Sequence, residues 1–146
     1  MKIYAGSDHA GVTLKQRLIE VARGLGHEVE DLGVASEQER VDYPDYGAAV
    51  GRRVAAEAGA RGLLCCGSGI GIAMAANKVP GVRAAAVWDE ESSRLSRQHN
   101  DANVFSVGER LVPGERAEAM WKTWLETDFE GGRHAARVAK IHELER

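Results

Sequence analysis

The sequence predicts an α/β fold: a single-domain, doubly wound (Rossmann/flavodoxin-like) parallel sheet of five strands, in the order 2-1-3-4-5, with a C-terminal helix. Two observations carry this expectation. Short β-rich runs alternate with longer segments of helical period along the whole chain, and 146 residues suit one ordinary domain, 1–146. The strands are expected at Lys2 to Gly6, His27 to Leu32, Gly62 to Cys66, Arg83 to Trp88 and Asn103 to Val107. Between the first two, Leu14, Leu18, Val21, Ala22 and Leu25 recur at helical spacing, and Gly26 stands where a helix would stop. Pro44 and Asp45 open a second helix running to about Ala58, with Ala49, Val50 and Val54 on its apolar side; a third runs from Ile70 to Lys78. "DEESSRLSRQHN" begins with acids and carries Arg97 and His99 late, as a helix dipole prefers. Two more helices are expected near Glu115 to Thr127 and Arg133 to Glu145, separated by the short hinge "DFEGGRH".

Composition narrows the function. Charged residues make up 28% and hydrophobic ones 44%, the balance of a soluble globular chain rather than a disordered one. A net charge of −3 with interspersed signs offers no basic stripe, so neither nucleic acid nor an anionic membrane is expected as a partner. The N-terminus lacks the apolar core of a signal peptide, and the uncharged run from Gly62 to Asn77 is too short and glycine-rich to span a bilayer. The only cysteines, Cys65 and Cys66, are adjacent and cannot staple distant parts of the fold. Reduced thiols in a cytoplasm are the natural inference.

In a sheet of this order, ligands bind beyond the strand C-termini where the order reverses, between the first and third strands. Those strands end in "GSDHAG" and "CCGSGIG", the two most chemically loaded loops of the chain. The second precedes a helix, so backbone N–H groups can face an anion. Its spacing is neither that of a dinucleotide fingerprint nor of a P-loop, and Cys66 occupies the first glycine position of a hydrolase elbow. A small anion hole with a thiol at its rim remains, beside the blander explanation of close strand–helix packing. Cys66 lies nearest the helix start, where a thiol can be tuned to act as a base; Cys65 points to the opposite face, toward the core. Asp8 and His9 can handle sugar hydroxyls or a proton, or can cap a helix. His99 and Asn100 precede the fifth strand, at the far end of the sheet from these loops, and if they act they act on a neighbouring subunit's crevice. Arg133 and Arg137, four apart, can present two guanidinium forks to one phosphate, with His134 beside them; a solvated basic face is the alternative. No spacing suggests a metal site.

Six separated stretches, "SDHAG", "DYPDYG", "CCGSGIGIAMAANK", "LSRQHNDANV", "VGER" and "EGGRHAARV", appear in order over nearly the whole chain. In them the sequence resembles the type B ribose-5-phosphate isomerases of the RpiB/LacAB sugar-phosphate isomerase group. The resemblance implies metal-independent, cofactor-free interconversion of ribose 5-phosphate and ribulose 5-phosphate through a cis-enediolate, in the non-oxidative pentose phosphate pathway. It implies that Cys66 moves a proton between C2 and C1, that Gly67, Ser68, Gly69, Ile70 and Gly71 hold the enediolate oxygen, and that His99, assisted by Asp8, opens the furanose ring. His9, Arg110, Arg133 and Arg137 would grip the phosphate, with His134 beside the arginines. Asn100 would bind near the reacting end, and Tyr43 would line the sugar pocket. It also implies a homodimer with shared active sites, or a tetramer built from two, in which the partner supplies His99, Asn100 and Arg110.

Two departures stand out. Some relatives use a glutamate four residues after the loop serine as the base, and here that position is Ile72; many cysteine-type relatives carry threonine where Ser68 stands, which keeps the hydroxyl. Isomerisation of a six-carbon sugar phosphate, such as allose or galactose 6-phosphate, would use nearly the same residues. A flavodoxin-like module binding a phosphorylated ligand would use the same crevice without needing Cys66 or His99, and a hydrolase built on Ser68 lacks the elbow spacing.

Overall fold

The computed structural model describes residues 1–145. Five strands, β1 (Lys2–Ser7), β2 (Glu28–Asp31), β3 (Arg61–Cys66), β4 (Ala84–Ala86) and β5 (Val104–Gly108), form one wholly parallel sheet. Six helices accompany them: α1 (Val12–Gly24), α2 (Tyr43–Ala56), α3 (Ile70–Ala76), α4 (Glu90–Gln98), α5 (Gly114–Glu126) and α6 (Arg133–Glu143).

The strand order is β2-β1-β3-β5-β4, so the last two strands stand exchanged relative to the expected 2-1-3-4-5. Burial explains the exchange. Every residue of β5 is buried, and a strand covered on both faces belongs between two neighbours. β4 is three half-buried alanines, shorter than the expected Arg83 to Trp88, and it takes the edge. The Asn77 side chain closes that edge, accepting from Ala84 N–H at 2.7 Å and donating to the Ala84 carbonyl at 2.9 Å. Because the chain steps outward to β4 and back to β5, right-handed crossovers put α4 on the opposite face from α2 and α3.

Alternation along the strands divides the core into two layers. On one face Ile3, Leu63, Phe105 and Val107 pack against Leu14 and Leu18 of α1 and Trp121 and Trp124 of α5. On the other, Tyr4, Leu64 and Val104 meet Val50 and Val54 of α2 and Ile72 of α3. Each such side chain, fully buried, contributes about 1.5–3 kcal/mol of transfer free energy. The helical stripe of α1 holds except at its end, where Leu25 caps the helix and stays exposed. Inside that stripe sits Lys15, fully buried, whose ammonium donates to Asp31 Oδ1 at 2.8 Å and to the Val34 carbonyl at 2.6 Å.

α6 is mostly exposed, with His134 its one buried residue. Its C-terminal end is tied back by Arg83 Nη1, 2.7 Å from His142 Nε2, and by Glu145, whose carboxylate accepts from Gly81 N–H at 2.9 Å. Among the described residues no helix is long and apolar enough to cross a membrane.

Candidate active site

β1 and β3 are adjacent, with Ser7 paired to Cys65, so the loops that follow them emerge side by side at the switch point. Asp8 is buried, and its carboxylate accepts from Ala10 N–H at 3.0 Å, capping the short turn His9–Gly11. His9 Nδ1 accepts from Val41 N–H at 3.3 Å, which leaves Nε2 as its donor. After Cys66 the chain turns through Gly69, whose φ of +75° is left-handed and suits glycine. This turn aims the Gly69 N–H at Cys66 Sγ, 3.1 Å away, while Ser68 Oγ accepts from Ile70 N–H at 3.2 Å. Ser106 Oγ donates to the Gly69 carbonyl at 2.7 Å and fixes the loop from β5.

Two side chains bracket this loop. A Cβ on Gly71 would stand 2.5 Å from Tyr43 Cε1, so the phenol ring lies directly over the glycine. A Cβ on Gly67 would meet Arg110 Nη1 at 3.3 Å, and the Arg110 N–H donates to the Gly67 carbonyl at 3.0 Å. Asp8, His9, Tyr43, Cys66, Ser68 and Arg110 thus line one cleft of about 340 Å³. Arg110 is therefore in the cleft of its own chain, and not at the far end with His99 as the resemblance had implied; it follows β5 directly, at the C-terminal edge of the sheet.

The other expected residues gather elsewhere. His99 is the C-cap of α4, before β5 begins, and therefore at the opposite edge of the sheet. Its ring stacks on His134, with centroids 4.2 Å apart and planes 13° from parallel. Arg133 and Arg137 are exposed on α6, and among the described residues neither joins an ion pair. Asn100 is exposed and borders a separate cleft of about 560 Å³ with Arg83 and Ile141. Burial, then His99 and Arg133, hold His134 below its ordinary value, with Glu130 pulling the other way.

The roles of three supporting residues escaped the sequence analysis. Glu109 Oε1 accepts from Leu14 N–H at 2.7 Å, joining the start of α1 to the tip of β5. Arg97, expected as a dipole cation, is buried instead; it donates to the Thr127 and Ala102 carbonyls and pairs with Asp101 at 2.9 Å, fixing the end of α4 from which His99 projects. Glu130, in the turn before α6, faces both histidines. Lys15 had a readable signal, a lysine at the i−3, i−4 and i−7 positions of Leu18, Ile19 and Ala22; Glu109, Arg97 and Glu130 act across distant segments and left none.

The family model described as "Ribose/Galactose Isomerase" matches residues 3–141. The chain belongs to this family. It is 44% identical to the ribose-5-phosphate isomerase B of Escherichia coli over 144 residues, covering 99% of this chain and 96% of that protein. Among solved structures, ribose-5-phosphate isomerase B of Clostridium thermocellum superposes with a TM-score of 0.95 at 48% identity, covering 99% of this chain and 97% of the other. The same protein of Mycoplasma genitalium, solved with bound ribulose 5-phosphate, gives a TM-score of 0.95 at 39% identity, with 99% and 95% covered. Membership of the ribose/galactose isomerase family extends over the cleft and the His99 cluster alike, since the matched span contains both.

Proposed function

We propose that this chain is a ribose-5-phosphate isomerase that interconverts ribose 5-phosphate and ribulose 5-phosphate through a cis-enediolate, with side chains alone moving the protons. The observation that carries this reading is the Cys66 sulfur in a cleft it shares with Asp8, His9 and Arg110, with Gly69 N–H donating to it and the glycine loop around it. The relatives named for this reaction support it, and the Mycoplasma genitalium structure carries its ketose product.

The proposed sequence begins with the closed sugar. His99 takes the C1 hydroxyl proton and returns a proton to the ring oxygen as the C1–O4 bond breaks, with Asp8 assisting. Cys66, as thiolate, then removes the C2 proton, and the electron pair left behind forms the enediolate. A proton then returns from the thiol to C1 while the O2 hydroxyl proton passes to O1, which completes the aldose-to-ketose conversion. Negative charge develops on the enediolate oxygen, where the amides of Gly67 and Gly71 and the Ser68 hydroxyl donate, joined by the Gly69 and Ile70 amides as these turn from Cys66 Sγ and Ser68 Oγ. One such preorganised donor lowers a barrier by roughly 3–4 kcal/mol. His9, Arg110, Arg133 and Arg137 hold the phosphate, whose remote binding supplies orientation at the reacting end. Tyr43 walls the sugar pocket, Asn100 binds near its reacting end and His134 stands beside the arginines.

This division of labour needs two copies of the chain. His99 and Cys66 lie at opposite edges of a sheet whose β5 alone spans about 15 Å. We therefore propose a homodimer in which one chain supplies Cys66, its loop and Arg110, and the other supplies His99, Asn100, Arg133, His134 and Arg137. The free thiols Cys65 and Cys66 suit the reducing cytoplasm.

The test is ketose formation from ribose 5-phosphate with a chelator present, beside allose 6-phosphate and galactose 6-phosphate. Turnover of the ribose substrate at least tenfold more efficient than either hexose phosphate is expected. Turnover of a hexose phosphate alone would keep the mechanism and overturn the substrate, and inactivity on all three would overturn the reading.

A further inference from the structure

Glu130 is a charged group that the proposed chemistry leaves without a task. Its backbone N–H donates to the Gln98 carbonyl at 3.0 Å, which anchors the turn before α6 on the last residue of α4. Its carboxylate Oε1 then stands 3.8 Å from His99 Nε2 and 3.7 Å from His134 Nε2. His134 is buried, and its Nε2 has no hydrogen-bond partner among the described residues. Two imidazoles and a carboxylate within 4.8 Å of one another are also a set that can ligate a metal. The stack argues against that use. Rings 13° from parallel keep their in-plane lone pairs in nearly parallel planes, so the two nitrogens cannot converge on one ion until a ring leaves the stack.

A carboxylate beside two stacked imidazoles acts instead on where a proton rests. Resting on the reading of His99 as the ring-opening residue, we infer that Glu130 is a positioning residue for His99: it holds the imidazole flat against His134 and balances the charge when His99 takes the sugar's hydroxyl proton. His99 meets Glu130 from the turn and His134 from α6, and the charged groups acting on its stacking partner His134 are His99, Arg133, Glu130 and Arg137, of which Glu130 is the one anion. His134 is kept toward its neutral form by burial and by the cations beside it. At 51% side-chain exposure Glu130 is partly screened by water, so its effect is smaller than that of the histidine it serves.

The experiment compares Glu130→Gln, Glu130→Asp, His99→Ala and the unaltered enzyme by two assays. The first is conversion of ribose 5-phosphate as a function of pH. The second is exchange of solvent deuterium into C1 of ribulose 5-phosphate, which requires no ring opening because the ketose, with O5 phosphorylated, cannot close to a furanose. Glu130→Gln is expected to lower kcat for ribose 5-phosphate about tenfold, below the 10²–10⁴ range of a general acid–base group itself. Without the anion the imidazolium is harder to form, so the acid limb of the rate profile moves to lower pH. Exchange into ribulose 5-phosphate stays near the unaltered rate, and Glu130→Asp restores most of the turnover. An unchanged rate and profile in Glu130→Gln, beside an inactive His99→Ala, would overturn the inference. So would equal loss of turnover and exchange, which marks a structural lesion. Full activity in His99→Ala would instead remove the ring-opening assignment on which the inference rests.

Discussion

Cys65 and Cys66 are both buried, but on opposite faces of the sheet. The pleat sends Cys65 into the layer beneath α1 and α5, where burial first and Glu109 second push its thiol well up, so that it stays protonated. Cys66 faces the cleft with an amide donor on its sulfur. Alternation alone sends the two thiols to opposite faces, which is why different roles could be expected of them from sequence. Cys66→Ala should therefore abolish turnover while substrate still binds, as measured by calorimetric titration beside the activity assay; activity within tenfold of the unaltered enzyme would remove Cys66 as the base. Arg137→Ala should mainly raise KM, because a group that grips the phosphate equally before and during reaction contributes uniform binding. A fall in kcat at unchanged KM would contradict that role.

The loop from Cys66 to Gly71 joins β3 to α3, and its two glycine contacts have different consequences. A Cβ on Gly69 would lie 2.6 Å from the Val107 carbonyl carbon, in backbone that cannot yield, at a φ of +75°. Gly69→Ala should cost about 1–3 kcal/mol in strain and lower the thermal midpoint by several degrees. The Cβ of Gly71→Ala would instead strike the Tyr43 ring, which can swing aside. That variant should keep its thermal stability and lose substrate affinity, as differential scanning calorimetry and KM would record; equal destabilisation of both would mean that Tyr43 is not free to move. Elements of this kind were legible because each strand or helix is a local pattern: hydrophobic alternation, a helical stripe, a glycine stop. The exchange of β4 and β5 was less so. Three alanines against Val104, Phe105 and Val107 do indicate which strand is central, but strand order is a competition among segments and leaves no mark within any one of them.

At the scale of the molecule, the residues assigned to the proposed site divide into two sets at opposite edges of the sheet, and the division follows from topology. A residue after a strand lies at the switch-point edge, as Asp8, Cys66 and Arg110 do; a residue after a helix and before a strand lies at the other, as His99 does. That rule was readable in the chain. What the sequence could not convey is how the far edge is built, since Glu130 from the turn and His134 from α6 meet His99 at the end of α4, which Arg97 ties to Ala102 and Thr127. A two-fold dimer that brings one chain's cleft to the other chain's far edge has a quantitative consequence. Each active site then holds Cys66 from one copy and His99 from the other. Cys66→Ala and His99→Ala homodimers are both inactive. In a mixed dimer one site carries both lesions and the other carries none. With free exchange half of the dimers are mixed, so roughly a quarter of all sites should regain full activity. The measurement is the ribose 5-phosphate assay after mild dissociation and reassociation of an equimolar mixture, with subunit exchange followed by native mass spectrometry. If mixed dimers form and activity stays at the level of the separate variants, Cys66 and His99 act within one chain or not in one site at all, and the shared-site assembly is wrong.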